Sequence, residues 1–225
     1  MSSLTKEDMH FVMSRVPKDI REIMQQKGLV LAGGFIRETI ARGKVNDIDL
    51  FGTTKEALKA AATELALNRK GRLHETENAF TVLAPPRMPV QFITRWLVDT
   101  PSEYIDFFDF TVCQAAIWFE QGEWRSAASP YFYPDLAARR LTYTFPRREE
   151  DAGGSMLRVR KFISRGYDIQ VGSLAGVMAR VFRSIDMEKI RGNDEAHVSQ
   201  IIHGILREVD PLAVVDGFDV SELNV

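Results

Sequence analysis

Leu31-Ala32-Gly33-Gly34-Phe35-Ile36-Arg37-Glu38 is followed at close range by Asn46-Asp47-Ile48-Asp49-Leu50. The apolar run Leu29-Val30-Leu31-Ala32 reads as a short strand that breaks off at Gly33-Gly34. Phe35 to Arg42 reads as a short helix, and Asp47 to Phe51 as a second strand. A strand ending in two glycines lets a ligand approach the backbone, because no Cβ intervenes. The helix after it offers N–H groups and the positive end of its dipole to a phosphate. Arg37, one turn in, adds a fixed positive charge. Asp47 and Asp49 are two apart on a strand, so both carboxylates leave one face while Ile48 and Leu50 point into the core. Two like charges on one face call for a cation, and Mg²⁺ takes such oxygens together with substrate phosphates. A pair of ions of this kind activates an attacking oxygen and stabilises a leaving pyrophosphate. Either motif alone is commonly a turn or a solvated strand edge; in this order and at this spacing they point to nucleotidyl transfer.

Toward the N-terminus, Thr5 with Asp8 three residues on predicts a helix start. That helix runs to about Lys27, broken or kinked at Pro17 and ended by Gly28. Thr53 or Thr54 caps an alanine-rich helix from Lys55 to about Leu67. Arg72–Glu75, Ala79–Leu83 and Val90–Thr94 read as strands, with Pro85-Pro86 at the turn between the last two. Pro101 and Ser102 open a short helix. Phe108, Phe110 and Val112 alternate with Asp109, Thr111 and Cys113, which predicts a strand from Asp109 toward Trp118. From Pro134 onward the pattern is helical, over Asp135–Arg140, Met156–Arg165, Ser173–Ile185 and Ala196–Val209. Asp151-Ala152-Gly153-Gly154 is the expected linker. The expected organisation is an α/β core with a mixed sheet over residues 1–150 and a small helical cap over 151–225.

The bulk properties narrow the function classes. A chain of 225 residues, 45% hydrophobic and 27% charged, is an ordinary globular composition. No apolar run is long enough for a membrane-spanning helix, and the acidic N-terminus is no secretory signal. A single cysteine, Cys113, fits a reducing cytoplasm. The net charge of −2 gives no global attraction to nucleic acid, but the charge is uneven. Arg139, Arg140, Arg147, Arg148, Arg158, Arg160, Lys161 and Arg165 lie close together, opposed by Glu149, Glu150 and Asp151. That segment is either a phosphate-binding face or a solvated helix surface with its counter-charges. His10, His74, His197 and His203 show no metal-ligand spacing, so zinc is not expected. Cys113 is expected to be a buried, inert thiol. Trp118-Phe119, Trp124 and Tyr131-Phe132-Tyr133 are read as core, with base stacking as the alternative.

Gly33-Gly34-Phe35-Ile36-Arg37-Glu38 followed by Asp47-Ile48-Asp49 resembles the head-domain signature of bacterial poly(A) polymerases and class II CCA-adding enzymes, members of the polymerase-β superfamily. Asp109-Phe110-Thr111-Val112-Cys113-Gln114-Ala115, Asp135-Leu136 with Leu141, and Met156-Leu157-Arg158-Val159-Arg160-Lys161-Phe162 resemble later segments of that signature in the same order. The resemblance spans roughly residues 29 to 165. It implies a polymerase-β-type nucleotidyltransferase that moves a nucleoside monophosphate from an NTP to an acceptor hydroxyl and releases pyrophosphate. Asp47 and Asp49 would bind two Mg²⁺ (or Mn²⁺) ions. Gly33, Gly34 and Arg37 would hold the triphosphate, and Arg139, Arg140 and Arg158 the triphosphate or base.

Departures from the signature are informative. Glu38 stands where the family has Asp, Phe108 where it has Arg, and Cys113 where it has Asn. The family takes a third carboxylate from a neighbouring strand. Here Val90–Thr94 offers Gln91, a neutral and poor magnesium ligand, so Asp109, with Asp106 behind it, is the expected substitute for metal or sugar. No Glu-Asp-x-x-Arg segment is present to read a base, and too little chain follows Phe162 for a tRNA-holding body, so CCA addition is not expected. The acceptor is left as an RNA 3′ end, a protein or a small molecule, beside the alternative of a non-catalytic nucleotide-binding protein.

Overall fold

A computed structural model describes residues 2–147, 152–192 and 194–207. The chain divides into two compact units, Met1–Ala137 and Ala138–Val225. Arg148, Glu149, Glu150, Asp151 and the Val209 end of the last expected helix lie outside the described residues.

The first unit opens with two helices, α1 (Lys6–Arg15) and α2 (Lys18–Lys27). Thr5 caps α1 by accepting from the Asp8 backbone N–H at 3.1 Å. Val16 and Pro17 are extended, so the proline separates two helices instead of bending one. Gly28 closes α2 in the left-handed region at φ 64°, which its lack of a Cβ permits. There follow β1 (Val30–Ala32), α3 (Gly34–Ile40), β2 (Ile48–Phe51) and α4 (Lys55–Arg69), the last capped by Thr54. Strands β3 (Arg72–Glu75), β4 (Ala79–Leu83) and β5 (Val90–Ile93) come next. Two 3₁₀ segments, Pro101–Phe107 and Thr111–Cys113, precede the hairpin β6 (Ala115–Glu120) and β7 (Glu123–Ala128), and α5 spans Phe132–Ala138.

The strands form one mixed seven-stranded sheet in the order β3-β4-β5-β2-β1-β6-β7. Only β2 and β5 run parallel; every other neighbouring pair is antiparallel. Registered residues project to the same side, so the pairings sort the sheet into two faces. Ile117, Leu31, Leu50, Phe92 and Phe80 make one apolar row. Helix α4 lies on that face, burying Leu58, Ala61, Ala62 and Leu65, with Lys59 Nζ 5.5 Å from the Phe80 ring centroid. The opposite face carries a polar row of Asp49, Gln91, Thr81 and His74. Mixed α/β architecture, the helix after Gly-Gly and the strand at Asp-x-Asp agree with the sequence reading.

The segment after Asp109 differs. The expected strand from Asp109 is a 3₁₀ turn over Thr111–Cys113, and the strand begins only at Ala115. Asp109, Phe110, Thr111, Val112 and Cys113 are all buried. The apparent alternation therefore does not separate an inner face from an outer one, and period-two reasoning fails here.

The second unit contains β8 (Arg140–Leu141), α6 (Ala152–Ser164), β9 (Asp168–Ile169), α7 (Val171–Ser184), α8 (Met187–Ile190) and α9 (Glu195–Arg207). β8 and β9 pair in parallel. Ala152, Gly153 and Gly154 of the expected linker form the first turn of α6.

Candidate active site

Strand β1 delivers the chain to Gly33, whose φ of 78° and ψ of −122° suit glycine alone. Gly33 N–H is held by the Ala115 carbonyl at 3.0 Å, which ties the loop to the start of β6. The space left by its missing Cβ is filled by protein. A Cβ on Gly33 would lie 2.8 Å from Cε1 and 3.0 Å from Cζ of Phe108. At Gly34 a Cβ would meet Arg37 Nη2 at 3.7 Å, an ordinary contact. Close approach of a ligand to bare backbone thus remains an argument for Gly34, whereas Gly33 is needed for Phe108.

Arg37 is buried at 6% exposure. Its Nε and Nη2 donate to Glu38 Oε1 at 3.0 and 2.9 Å, and its Nη1 to Cys113 Sγ at 3.0 Å. The guanidinium therefore joins α3 to the 3₁₀ turn, and Glu38 balances part of its charge. This gives Cys113 a structural reason to sit next to the loop, one with no local sequence signal because the two positions are remote in the chain.

Asp47 precedes β2 and Asp49 lies within it, and both are half-buried. Ile48 and Leu50 are fully buried, as the alternation requires. Asp49 is registered with Gln91 on β5. Gln91 is 1% exposed, and its Nε2 is buried with no hydrogen-bond partner among the described residues. Among the described residues no group of three or more His, Cys, Asp or Glu side chains is placed to hold a metal ion.

Phe51, two residues beyond Asp49 and on the same face, anchors an aromatic cluster that no sequence motif announces. Trp96 stacks on Phe51 with centroids 5.9 Å apart and on Phe107 at 5.6 Å, while Phe108 meets Phe51 and Trp96 edge-on at 6.1 and 5.8 Å. Tyr104 is buried beneath and donates its hydroxyl to the Gly52 carbonyl at 2.8 Å, which fixes the 101–107 segment to the end of β2. Burial pushes this phenol up to about 12. The strand parity of Asp49 predicts the facing of Phe51; nothing local signals Trp96.

Asp109 is buried at 1% exposure, between Phe108 and the 3₁₀ turn, and Asp106 is half-buried on the preceding segment. Asp135 is fully buried and accepts from the Thr111 hydroxyl, which pins α5 to the same turn. The first unit therefore brings together Gly33, Gly34, Arg37, Cys113 and Phe108, with Asp49 two residues from Phe51 in the adjoining strand. Arg139, Arg140 and Arg158 belong to the second unit. Arg139 donates from Nη1 to the Arg165 carbonyl at 3.2 Å, Arg140 is on β8, and Arg158 is half-buried in α6.

A central mixed sheet with a strand–Gly-Gly–helix unit next to a strand bearing Asp-x-Asp defines the polymerase-β-type nucleotidyltransferase fold. Solved structures of this fold match the chain. The Thermotoga maritima CCA-adding enzyme complexed with tRNA matches with TM-score 0.57 and 18% identity over 92% of this chain and 52% of that one. A CCA-adding enzyme complexed with ATP gives 0.58 and 18% over 97% and 54%. A tRNA nucleotidyltransferase with a primer tRNA and an incoming ATP analogue gives 0.53 and 19% over 87% and 62%. The chain thus spans roughly half to two thirds of the length of these enzymes, and at such identities the likeness establishes the fold. No curated protein matches the sequence. The family model described as Gabija anti-defense 2 family protein matches residues 3–139, nearly the whole first unit, and the chain belongs to that family.

Proposed function

We propose that this protein is a metal-dependent nucleotidyltransferase acting from the site on its first unit. The observation that supports this most strongly is the placement of Asp47 and Asp49 directly before and within β2, on the sheet face opposite α4, beside the Gly33-Gly34 loop. Hard carboxylate oxygens on half-buried side chains suit magnesium, and Asp47 and Asp49 would hold it. Bound there, the metal supplies charge neutralisation to the nucleotide phosphates.

The protein's own groups do the remaining work in this reading. Gly33 and Gly34 bring backbone close to the triphosphate, Gly33 through the loop shape that Phe108 enforces. Arg37 supplies positive potential and, through Glu38 and Cys113, holds the start of α3 in place. Asp109 positions the 108–115 segment from within the core, next to the sugar. The acceptor oxygen bonds to the α-phosphorus, the bond from that phosphorus to the bridging oxygen breaks, pyrophosphate leaves and the hydroxyl proton passes to solvent.

The family description favours an acceptor within the Gabija defence, a protein component that would be blocked by the added nucleotide. An RNA 3′ end is the second reading, suggested by the tRNA and ATP in the complexes of similar fold and by the head-domain signature of the poly(A) polymerases. The test is incubation with each of four labelled NTPs and Mg²⁺ or Mn²⁺, with total RNA or with purified Gabija components. Transfer should depend on Asp47 and Asp49 and vanish in the Asp47→Asn/Asp49→Asn variant. Nucleotide binding with no transfer to any acceptor would reject the enzyme in favour of a nucleotide-binding protein.

A further inference from the structure

The parallel pairing of β2 with β5 places position 91 directly beside Asp49. Two divalent ions held side by side carry four positive charges, and each requires several oxygen ligands, anionic ones foremost. Asp47 and Asp49 together supply two negative charges. The residue registered with Asp49 is the neutral Gln91, and beyond it in the same row stand Thr81 and His74. Gln91 is 1% exposed, so no carboxylate occupies this position and solvent does not fill it. Its Nε2 is buried without a partner among the described residues. An amide carries no charge: its oxygen is a neutral ligand and its NH₂ a donor, so this position adds nothing to the two negative charges of Asp47 and Asp49. The residues in this part of the sheet therefore fit one divalent ion and do not fit a second.

We propose that the Asp47–Asp49 site takes a single divalent cation, the one that accompanies the nucleotide phosphates, and that Gln91 closes the neighbouring position to a second. The inference rests on the nucleotidyltransferase reading and replaces the two-ion arrangement expected from the resemblance. It separates two properties that three-carboxylate sites combine. Nucleotide with its metal binds through Asp47 and Asp49, while the acceptor hydroxyl is left without a metal of its own. Such a site is selective for acceptors that bring an already acidic hydroxyl, such as a tyrosine phenol, over the ribose hydroxyl of an RNA end. The chemical class this favours is a protein acceptor.

The test counts Mn²⁺ by electron paramagnetic resonance, with a non-hydrolysable α,β-methylene NTP present throughout. The wild-type chain should bind one Mn²⁺ per ternary complex, with the spectrum of an isolated ion. Gln91→Asp and Gln91→Glu should add a second ion at least tenfold more tightly than wild type does, with the spin-coupled signal of a close pair, about 3.5–4 Å apart. The wild-type count decides the proposal even where a variant fails to fold: a spin-coupled pair in wild-type protein overturns it. The underlying reading fails differently, by Mn²⁺ and nucleotide binding that is absent or that is unchanged in Asp47→Asn/Asp49→Asn.

Discussion

Replacing Gly33 by alanine tests whether this loop is shaped by Phe108. The residue sits at φ 78° and ψ −122°, outside the left-handed helical region, and an L-residue there loses at least the roughly 1–2 kcal/mol that region costs. The new Cβ also meets the Phe108 ring at 2.8 Å, closer than carbon atoms pack, and overfilling of this kind costs about 1–3 kcal/mol. Together these predict a loss of roughly 2–5 kcal/mol. The two parts separate in a Phe108→Ala background, where the contact is gone and the backbone strain remains. Gly33→Ala should be milder there by about 1–3 kcal/mol, a coupling expected only of touching residues. Urea unfolding followed by tryptophan fluorescence is well suited, because Trp96, Trp118 and Trp124 all lie in the first unit and Trp96 touches Phe108. Equal losses in both backgrounds would mean that Phe108 does not shape this loop, as would a loss below about 0.5 kcal/mol, the scale of ordinary surface changes.

Asp19 accepts two hydrogen bonds from Arg69, at 2.7 and 3.0 Å, and the Arg69 side chain is only 2% exposed. Asp19→Ala should destabilise the first unit by about 3 kcal/mol, since a buried guanidinium is left uncompensated. Arg69 holds the Asp19 carboxyl below its ordinary 3.8, so the stability it adds is complete above that pH and is lost as pH falls through the folded value. Denaturation from pH 6 to pH 2 should therefore show a shallower acid limb for Asp19→Asn than for wild type. Tyr104→Phe removes the donor to the Gly52 carbonyl and should cost about 1–3 kcal/mol at neutral pH. Because the folded phenol titrates near 12 and an unfolded one near 10, wild type should lose stability between those values. A variant lacking the hydroxyl should show less of that loss when unfolding is compared at pH 9 and pH 11.

The elements that frame the site were legible because their signals are local. Gly28, Gly33-Gly34 and the Thr5 and Thr54 caps act within a turn of the chain, and Asp47 to Leu50 carries its own alternation. Other features depend on residues that meet only in three dimensions. Phe108 is an unremarkable phenylalanine until the fold sets it against Gly33. Arg37 reads as a free phosphate ligand until Cys113 and Glu38 are found around it. The 109–113 segment alternates like a strand, yet burial on every side lets it form a 3₁₀ turn. The hairpin β6–β7 has no such signal, because Trp118, Phe119 and Trp124 read in the sequence only as aromatic content. Phe119 and Trp124 face each other across it, with ring centroids 5.1 Å apart.

Strand β1 has β2 on one side and β6 on the other, the first made soon after it and the second much later in the chain. During synthesis β1 must wait with one edge unpaired until β6 emerges, and an unpaired edge is open to wrong partners. The Gly33 loop waits with it, since the carbonyl that fixes its N–H belongs to Ala115. If the loop holds nucleotide as proposed, nascent chains stalled short of β6 should be unable to capture it, however complete the Gly-Gly and Asp-x-Asp segments already are. Competence then arrives in one step with the hairpin, late in the making of the first unit.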